Sequence, residues 1–517
     1  MALVAGVDTS TQSCKIVIRD AETGELIRSG SAKHPDGTEV DPQHWWVAFL
    51  EAAAAAGGLN DVAAISVGGQ QHGMVVLDKA GNVIRPALLW NDTRSAGSAL
   101  DLIDALGREK LNGSTDDDEA IHAAGAQAFA DIVGSVPVAS LTVTKLKWLN
   151  DNEPDNAAQV AAVALPHDWL SWRIAGYGPA GDPSAPNGPD LTKLFTDKSD
   201  ASGTGYYDAE AHDGAGAYRD DLLRMAMGRG IASEIDGVDG IILPRVLAPT
   251  EAGAVANPEI AGKDVPGGCL IGPGAGDNAG AAIGLGMEPG DIAISIGTSG
   301  VVSAVAPKRT ADGSGAINGF ADATGNALML AVTLNAAQVL DAARNVTGSD
   351  FQQLSDRALA APPGSDGLVL VPYLQGERTP NRPDASGTLH GIRLKNMTPE
   401  HISRAYIEGM LAGLADGLDA LRAQNVPIER VMLIGGAAQS PAVQEVATQV
   451  FGLPISIPEP GEYVADGAAR QAAWVLASTH AGGPVAQPGW STQMSKTLAA
   501  NPQPIVREQY AAVRDLV

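Results

Sequence analysis

Asp277 and Asn278 stand inside GPGAGDNAGAAIGLG, Gly272 to Gly286. A carboxylate held bare in a glycine-lined cleft can take a proton as a general base. The same carboxylate could instead cap the helix that follows, accepting from amides two or three residues on. The residues alone leave both uses open. Gly274, Gly276 and Ala279 also fit the dinucleotide fingerprint G-x-G-x-x-A. That match is discounted, because the following helix is short, ends by Pro289, and meets Asp277 where a pyrophosphate would lie.

A second isolated carboxylate, Asp8, ends an apolar run in GVDTSTQSCK and is followed by five small polar residues, Thr9 to Ser13. A matching turn, GTSG, occupies Gly297 to Gly300. A tight turn between strands aims successive N–H groups at one point, and Ser and Thr hydroxyls complete an anion-binding nest. Taken singly, each turn reads first as an ordinary hairpin. LIGGAAQSP, Leu433 to Pro441, runs from a strand through paired glycines into a helix. It leaves room for a flat or phosphorylated ligand at a helix N-terminus, or is simply a tight turn. VGGQQHGMVVLD gathers Gln70, Gln71 and His72 at a strand end, neutral donors and acceptors suited to a polyhydroxylated molecule or to a polar hairpin. Just downstream, LLWNDTRS offers Trp90 as an apolar wall, with Asn91, Asp92 and Arg94 as polar partners.

These residues need a scaffold, and the pattern supplies one twice. The first block reads strand, polar turn, strand (Cys14 to Arg19), strand (Leu26 to Gly30), a helix from Pro42 to about Gly57, and the buried strand VAAISVGGQ. The second begins near Pro289 with strand Ile292 to Ile296, the GTSG turn and strand Val301 to Ala306. It continues with a strand at Ala327 to Thr333 and a long helix capped by Thr398, with Ile402, Tyr406, Met410, Leu414, Leu418 and Leu421 on one apolar face. VMLIGG, a helix from about Pro441 and a last helix from Asp466 to Ser478 follow. The reading is one α/β architecture used twice, two lobes with a catalytic cleft between them: residues 1–287, residues 288–480 and an extension over residues 481–517. DDDE, Asp116 to Glu119, and the Gly/Pro-dense segment Gly176 to Asp190 read as a solvated acidic run and a loop.

With 517 residues the chain is too long for one core, and 45% apolar with 18% charged residues is globular composition. A net charge of −26 repels nucleic acid and anionic membranes. No apolar stretch reaches the length that spans a bilayer, and no signal peptide is apparent. Cys14 and Cys269 are the two cysteines and lack metal-ligand spacing. A cytoplasmic setting is expected.

Two Ser/Thr/Gly hairpins, a paired-glycine turn and two isolated aspartates fit one task together. That task is holding a nucleoside triphosphate and its metal opposite a sugar-like acceptor. GxxxxGK[ST] is absent, so the chain is not a P-loop enzyme. The motifs, in order, resemble the FGGY family of carbohydrate kinases: GVDTSTQSCK, GGQQHGMVVLD, LLWNDTRS, TVTKLKWL, LPHDWL, SDASGTGYYD, GAGDNAGAAIG, ISIGTSGVVSAV, PYLQGERTPNRP, LIGGAAQSP and DGAARQAAW, from Leu3 to about Ser478. Where many members carry Gln-Met-His-Gly, this chain has Gln70-Gln71-His72-Gly73. SDASGT and GERTP resemble the branch that phosphorylates ketopentoses.

The resemblance implies a duplicated ribonuclease-H-like, actin-type ATPase fold, and transfer of phosphate from ATP to O5 of D-xylulose. By that resemblance Asp277 is the base, Asp8 holds Mg2+ near the phosphates and also borders the substrate, and Gln71, His72, Asp277 and Asn278 bind the sugar with Trp90 nearby. Thr9, Ser10, Thr11, Gly297 and Thr298 would face the phosphates, and Gly436, Ala437 and Ser440 the adenosine. Lobe closure over the sugar and a homodimer are expected on the same ground. Rival readings are a sibling kinase for ribulose, another ketose, gluconate or glycerol, a nucleotide-driven switch protein of the actin or chaperone type, and a dinucleotide-binding oxidoreductase.

Overall fold

The computed structural model describes residues 2–232, 240–380, 382 and 384–516. Asn381 and Pro383, at the end of the PYLQGERTPNRP motif, lie outside the described residues. The chain divides into two compact units. One comprises Met1–Gly286, Gly319–Ala327 and Gly461–Ser491; the other comprises Met287–Asn318, Leu328–Pro460 and Thr492–Val517.

In the first unit, Leu3–Thr9 and Ser13–Asp20 form an antiparallel hairpin in which Thr9 faces Cys14. Leu26–Lys33 adds to the second strand, and Val62–Gly69 runs parallel to the first. Leu270–Ile271 extends the sheet beyond Val62–Gly69, and Ala275–Gly276 pairs with that same strand farther along. The opening strand is buried from Val4 to Thr9, which explains its unbroken apolar run: both faces are covered. Val7, Ile16, Ile18 and Ile65 pack with Trp45, Phe49 and Ala52 of the helix Gln43–Ala55. On the opposite face, Val4 and Ala64 meet Ala472, Ala473 and Leu476 of the helix Tyr463–Ala481, and Val17 meets Ala465 and Ala469. Gly6 is required there, because a Cβ would sit on the Ala465 carbonyl oxygen.

The second unit repeats the plan. Ala327–Thr333, Gly300–Ala306, Asp291–Ile296, Arg430–Ile434 and Ile455–Pro458 lie in that order, as Leu26–Lys33, Ser13–Asp20, Leu3–Thr9, Val62–Gly69 and Leu270–Ile271 do in the first. Each unit has an antiparallel hairpin whose leading strand then takes a parallel neighbour. This is the duplicated ribonuclease-H-like plan expected from the motifs. The long helix is Pro399–Ala423, with Thr398 accepting from the His401 amide as its cap. Met410, Leu414, Leu418 and Leu421 of the expected face are buried, while Ile402 and Tyr406 are half-buried.

Two local features differ from the sequence expectation, and a third adds to an acidic run that is solvent-exposed as expected. The helix expected at Asp466 to Ser478 is longer, Tyr463–Ala481, and packs within the first unit rather than with the residues just before it. Met494–Leu498, in the C-terminal extension, completes the second sheet as an antiparallel partner of Ile455–Pro458. Asp117, in the acidic run, caps the helix Asp118–Val133 by accepting from the Glu119 amide at 3.1 Å, which places negative charge where a helix dipole favours it. Among the described residues no helix is long and apolar enough to cross a membrane.

Candidate active site

Strand register brings the two isolated aspartates to one end of the first sheet. Across Val62–Gly69, Asp8 pairs with Gly68 and Thr9 with Gly69 on one side. On the other, Ala275 pairs with Gly68 and Gly276 with Gly69. Asp8 and Asp277 therefore flank the same pair of glycines at the carboxyl ends of parallel strands, where ligands of α/β sheets bind.

Asp277 is the first residue of the helix Asp277–Leu285, whose N-cap is Gly276. Its Oδ1 accepts from the amide of Asn278 at 2.7 Å and from Asn278 Nδ2 at 2.9 Å. It makes no capping bond to amides two or three residues on, so of the two uses left open by sequence the helix cap falls away. Asn278 Nδ2 also donates to Gln71 Oε1 at 3.0 Å, linking Asp277, Asn278 and the buried Gln71. Gly276 is what lets Gln71 approach: a Cβ there would lie 2.6 Å from Gln71 Nε2. Burial, and then the neighbouring negative charge of Asp8, push the Asp277 carboxyl up to about 7, against the two Asn278 bonds. Asp8 is buried, and burial pushes it up to about 6 against the attraction of Lys15. Asp8 Oδ1 and Thr9 Oγ1 are buried without a hydrogen-bond partner, two orphaned oxygens side by side in sequence.

The polar turn after Asp8 is held from outside. His34 Nδ1 lies 2.8 Å from the Ser10 carbonyl, to which it donates, and Trp90 Nε1 donates to Thr11 Oγ1 at 2.9 Å. Trp90 is 41% exposed. His72 adopts φ 67°, a left-handed conformation that few non-glycine residues take. Its carbonyl accepts from Lys145 Nζ at 2.7 Å and Thr142 Oγ1 at 3.2 Å. Its Nδ1 is 2.7 Å from the Gly203 carbonyl, which can only accept, so Nδ1 carries a proton. The ring packs on Phe320, centroids 5.6 Å apart.

In the second unit, Gly297 and Thr298 lie in the turn between Asp291–Ile296 and Gly300–Ala306. Their carbonyls accept from Ala337 at 2.8 Å and Ala336 at 3.3 Å, at the start of the helix Ala337–Thr347. Ser295 pairs with Ile434, which seats Gly435 against Ile296. Gly435 has φ 92°, and a Cβ would lie 2.7 Å from the Ile296 carbonyl oxygen, so only glycine fits. Space is open around Gly436. The helix after the paired glycines begins at Pro441, as the sequence suggested. A 3-10 turn, Gly436–Gln439, intervenes before Pro441–Phe451, and the Ser440 side chain makes no capping bond.

Register and contacts thus join Asp8, Thr9, Ser10, Thr11, Gln71, His72, Trp90, Asp277 and Asn278 within the first unit. Gly297 and Thr298 neighbour the turn bearing Gly436, Ala437 and Ser440 within the second. Sequence reasoning gave no role to three groups close to Asp277 and His72. Lys145 is fully buried, its ammonium pushed down to about 7 by burial against Asp92 and Asp200. Ser199 Oγ accepts from the Gly276 amide at 3.1 Å. His167 Nε2 lies 3.2 Å from Asp200, 3.3 Å from Asp168 and 3.6 Å from Asp197, all buried. Burial opposes the charge on His167, but the carboxylates, led by Asp168, push it up to about 9. All three lie in TVTKLKWL, LPHDWL and SDASGT, motifs that carried the resemblance without a chemical assignment.

Against known proteins, residues 3–284 match the N-terminal domain of the FGGY family of carbohydrate kinases and residues 292–476 match its C-terminal domain. A xylulose kinase of Streptomyces coelicolor is 42% identical over 506 residues, covering 96% of this chain and 92% of that protein. One from Streptomyces rubiginosus is 40% identical over 483 residues, covering 92% and 88%. The crystal structure of xylulose kinase from Bifidobacterium adolescentis superposes with a TM-score of 0.90 at 50% identity, covering 99% of each chain. With both domain models matched in order and two units of like strand order to carry them, this chain belongs to the FGGY family of carbohydrate kinases.

Proposed function

We propose that this chain transfers the γ-phosphoryl group of ATP to the C5 hydroxyl of D-xylulose, with Asp277 as the general base. The observation that carries the assignment of the base is the position of Asp277: half-buried, at the first turn of a helix, hydrogen-bonded only through Asn278, and within electrostatic reach of buried Asp8.

Phosphoryl transfer passes through a loose transition state, so the protein mainly positions groups and stabilises charge. Gln71, His72 and Asn278 orient the sugar hydroxyls, and Trp90 offers an apolar wall. Asp277 accepts the hydroxyl proton late, as the forming O–P bond acidifies it. Thr9, Ser10, Thr11, Gly297 and Thr298 are assigned to the phosphates, and Gly436, Ala437 and Ser440 to the adenosine. The orphaned Oδ1 of Asp8 suits a hard cation, and Mg2+ commonly takes one or two carboxylates plus substrate phosphates. Asp8 would hold Mg2+, directly or through water; when bound, the ion neutralises phosphate charge. A reducing, cytoplasmic setting fits Cys14 and Cys269, both free and buried.

The elevated carboxyl sets a pH dependence. A base must be unprotonated, so activity is present above the pKa and lost as pH falls through it. The acid limb of kcat/KM, which reports the free enzyme, is expected near pH 7, where burial places Asp277. A limb near the ordinary carboxylate value would mean that another group sets it.

An ADP-release assay on D-xylulose, D-ribulose, gluconate and glycerol tests the substrate. D-xylulose should give the highest kcat/KM. A faster D-ribulose reaction would reassign the contacts around Gln71, His72 and Trp90. ATP hydrolysis that no sugar accelerates would point to a switch protein instead.

A further inference from the structure

SDASGT carries none of this chemistry, yet one of its side chains and one of its carbonyls touch both sides of it. Asp197 caps the short helix Lys198–Ser202, accepting from the amides of Ser199 at 2.7 Å and Asp200 at 3.1 Å. Two contacts leave this segment toward the reacting groups. Fully buried Ser199 accepts the N–H of Gly276, the residue before Asp277, at 3.1 Å. Gly203 accepts Nδ1 of His72 at 2.7 Å, and the imidazole lies so close that a Cβ on Gly203 would be 2.6 Å from His72 Cε1.

The rear of the segment is anchored. Ser202 Oγ donates to the Ser199 carbonyl at 2.7 Å and accepts from the Ala321 amide at 3.0 Å, next to the Phe320 ring that packs on His72. Asp200 faces His167 at 3.2 Å. A Cβ on Gly274 would strike that same imidazole, so His167 also seats the approach to Asp277. Both ends of the segment therefore rest on buried, charged or hydrogen-bonded neighbours.

We propose that residues 198–203 are a rigid spacer that sets the separation of the Asp277 carboxylate from the His72 imidazole, with Ser199 positioning the base side and Gly203 the sugar side. This rests on the reading of Asp277 as the base and His72 as a sugar contact. Ser199 acts through the Gly276 amide and Gly203 through the imidazole, so neither is a catalytic residue. The two substitutions therefore fail differently. Without the Ser199 hydroxyl the buried Gly276 amide loses its acceptor and the turn into Asp277 relaxes, which affects the chemical step. A methyl on Gly203 displaces the imidazole, which affects sugar binding. Gly203 has φ −79°, so alanine fits its backbone and the ring clash is the isolated change.

The test is steady-state kinetics on Ser199→Ala and Gly203→Ala, with thermal melts, plus Ser199→Ala in an Asp277→Asn background. Ser199→Ala should lower kcat about 10- to 100-fold, the scale of a misplaced reacting group, with KM for D-xylulose little changed. Gly203→Ala should raise KM for D-xylulose about tenfold and leave kcat much less affected, the signature of lost ground-state binding. In the Asp277→Asn background, Ser199→Ala should cost less than about twofold more, since groups acting as a unit are not additive. If Ser199→Ala does not fold, Ser199→Cys, which keeps the volume with a weak acceptor, is read by the same criteria. Unchanged kcat in the Ser199 variant overturns the proposal. So does a parallel shift of kcat and KM in both variants with lowered melting temperatures, or a full additional loss in the Asp277→Asn background. Normal turnover of Asp277→Asn alone would remove the base assignment instead, a different and separately readable failure.

Discussion

Asp277→Ala is expected to lower kcat by about 10²- to 10⁴-fold, the usual contribution of a positioned acid–base group, while D-xylulose still binds. On the proposed assignment Gln71, His72 and Asn278 remain to hold the sugar, although Asn278 loses the bond from its Nδ2 to Asp277. The isosteric Asp277→Asn should lose similar activity and separate chemistry from packing. It also carries a stability signature. The carboxyl sits at about 7 in the folded protein against an ordinary 3.8, raised first by burial and then by Asp8. The folded state therefore holds the proton more tightly than the unfolded chain, and stability is lost as pH rises between those values. Above pH 7 the wild type carries the full penalty of a desolvated carboxylate beside another. Asp277→Asn should melt higher than wild type at pH 8, and the difference should shrink toward pH 4. Equal melting differences at both pH values, or turnover near that of the wild type, would count against this reading.

Gly467→Ala should destabilise the first unit strongly for a single added methyl. The helices Asp277–Leu285 and Tyr463–Ala481 meet backbone to backbone. A Cβ at Gly467 would sit on the Gly280 carbonyl oxygen, and one at Gly284 on that of Tyr463. No flexible side-chain end can yield, so the helices must part. Overpacking of this kind costs about 1–3 kcal/mol, occasionally more, and here it moves the helix that begins with Asp277, so kcat should fall along with the melting temperature. Gly413→Ala is the control. It lies in the helix Pro399–Ala423, and a Cβ there meets only the Tyr510 hydroxyl, at 3.8 Å. Relieved of glycine's poor helix propensity, it should be neutral or gain up to about 1 kcal/mol. Thermal melts of the two variants decide it: equal, small shifts would mean that the helix pair is looser than described.

Much of this was legible in the sequence because the chemistry sits on strong local signals. The opening strand and its counterpart at Asp291–Ile296 announce themselves by apolar runs broken by small polar turns. Thr398-Pro399 marks a helix start by capping chemistry that needs no tertiary partner. Asp277 stood out as a carboxylate isolated among glycines, and the close approach of Gln71 to Gly276 and of His167 to Gly274 explains why those glycines are there. Other features depend on partners far away in sequence. The small residues of Tyr463–Ala481 do not name Gly6, Gly280 and Gly284 as the surfaces they fit, so its place in the first unit could not be read from pattern. Lys145 and the group around His167 were missed for a related reason. Lysine and aspartate are ordinarily exposed, and nothing local distinguishes the rare buried ones. The 3-10 turn after Gly435 escaped because paired glycines permit several turns, and closeness to Ile296 selects this one.

A crystal structure with D-xylulose and a non-hydrolysable ATP analogue bears most directly on the role of Asp277. Its carboxylate is expected within about 2.6–3.2 Å of the C5 hydroxyl, the reach of a general base. A C5 hydroxyl bonded instead to another side chain, with Asp277 turned away from it, would contradict the assignment.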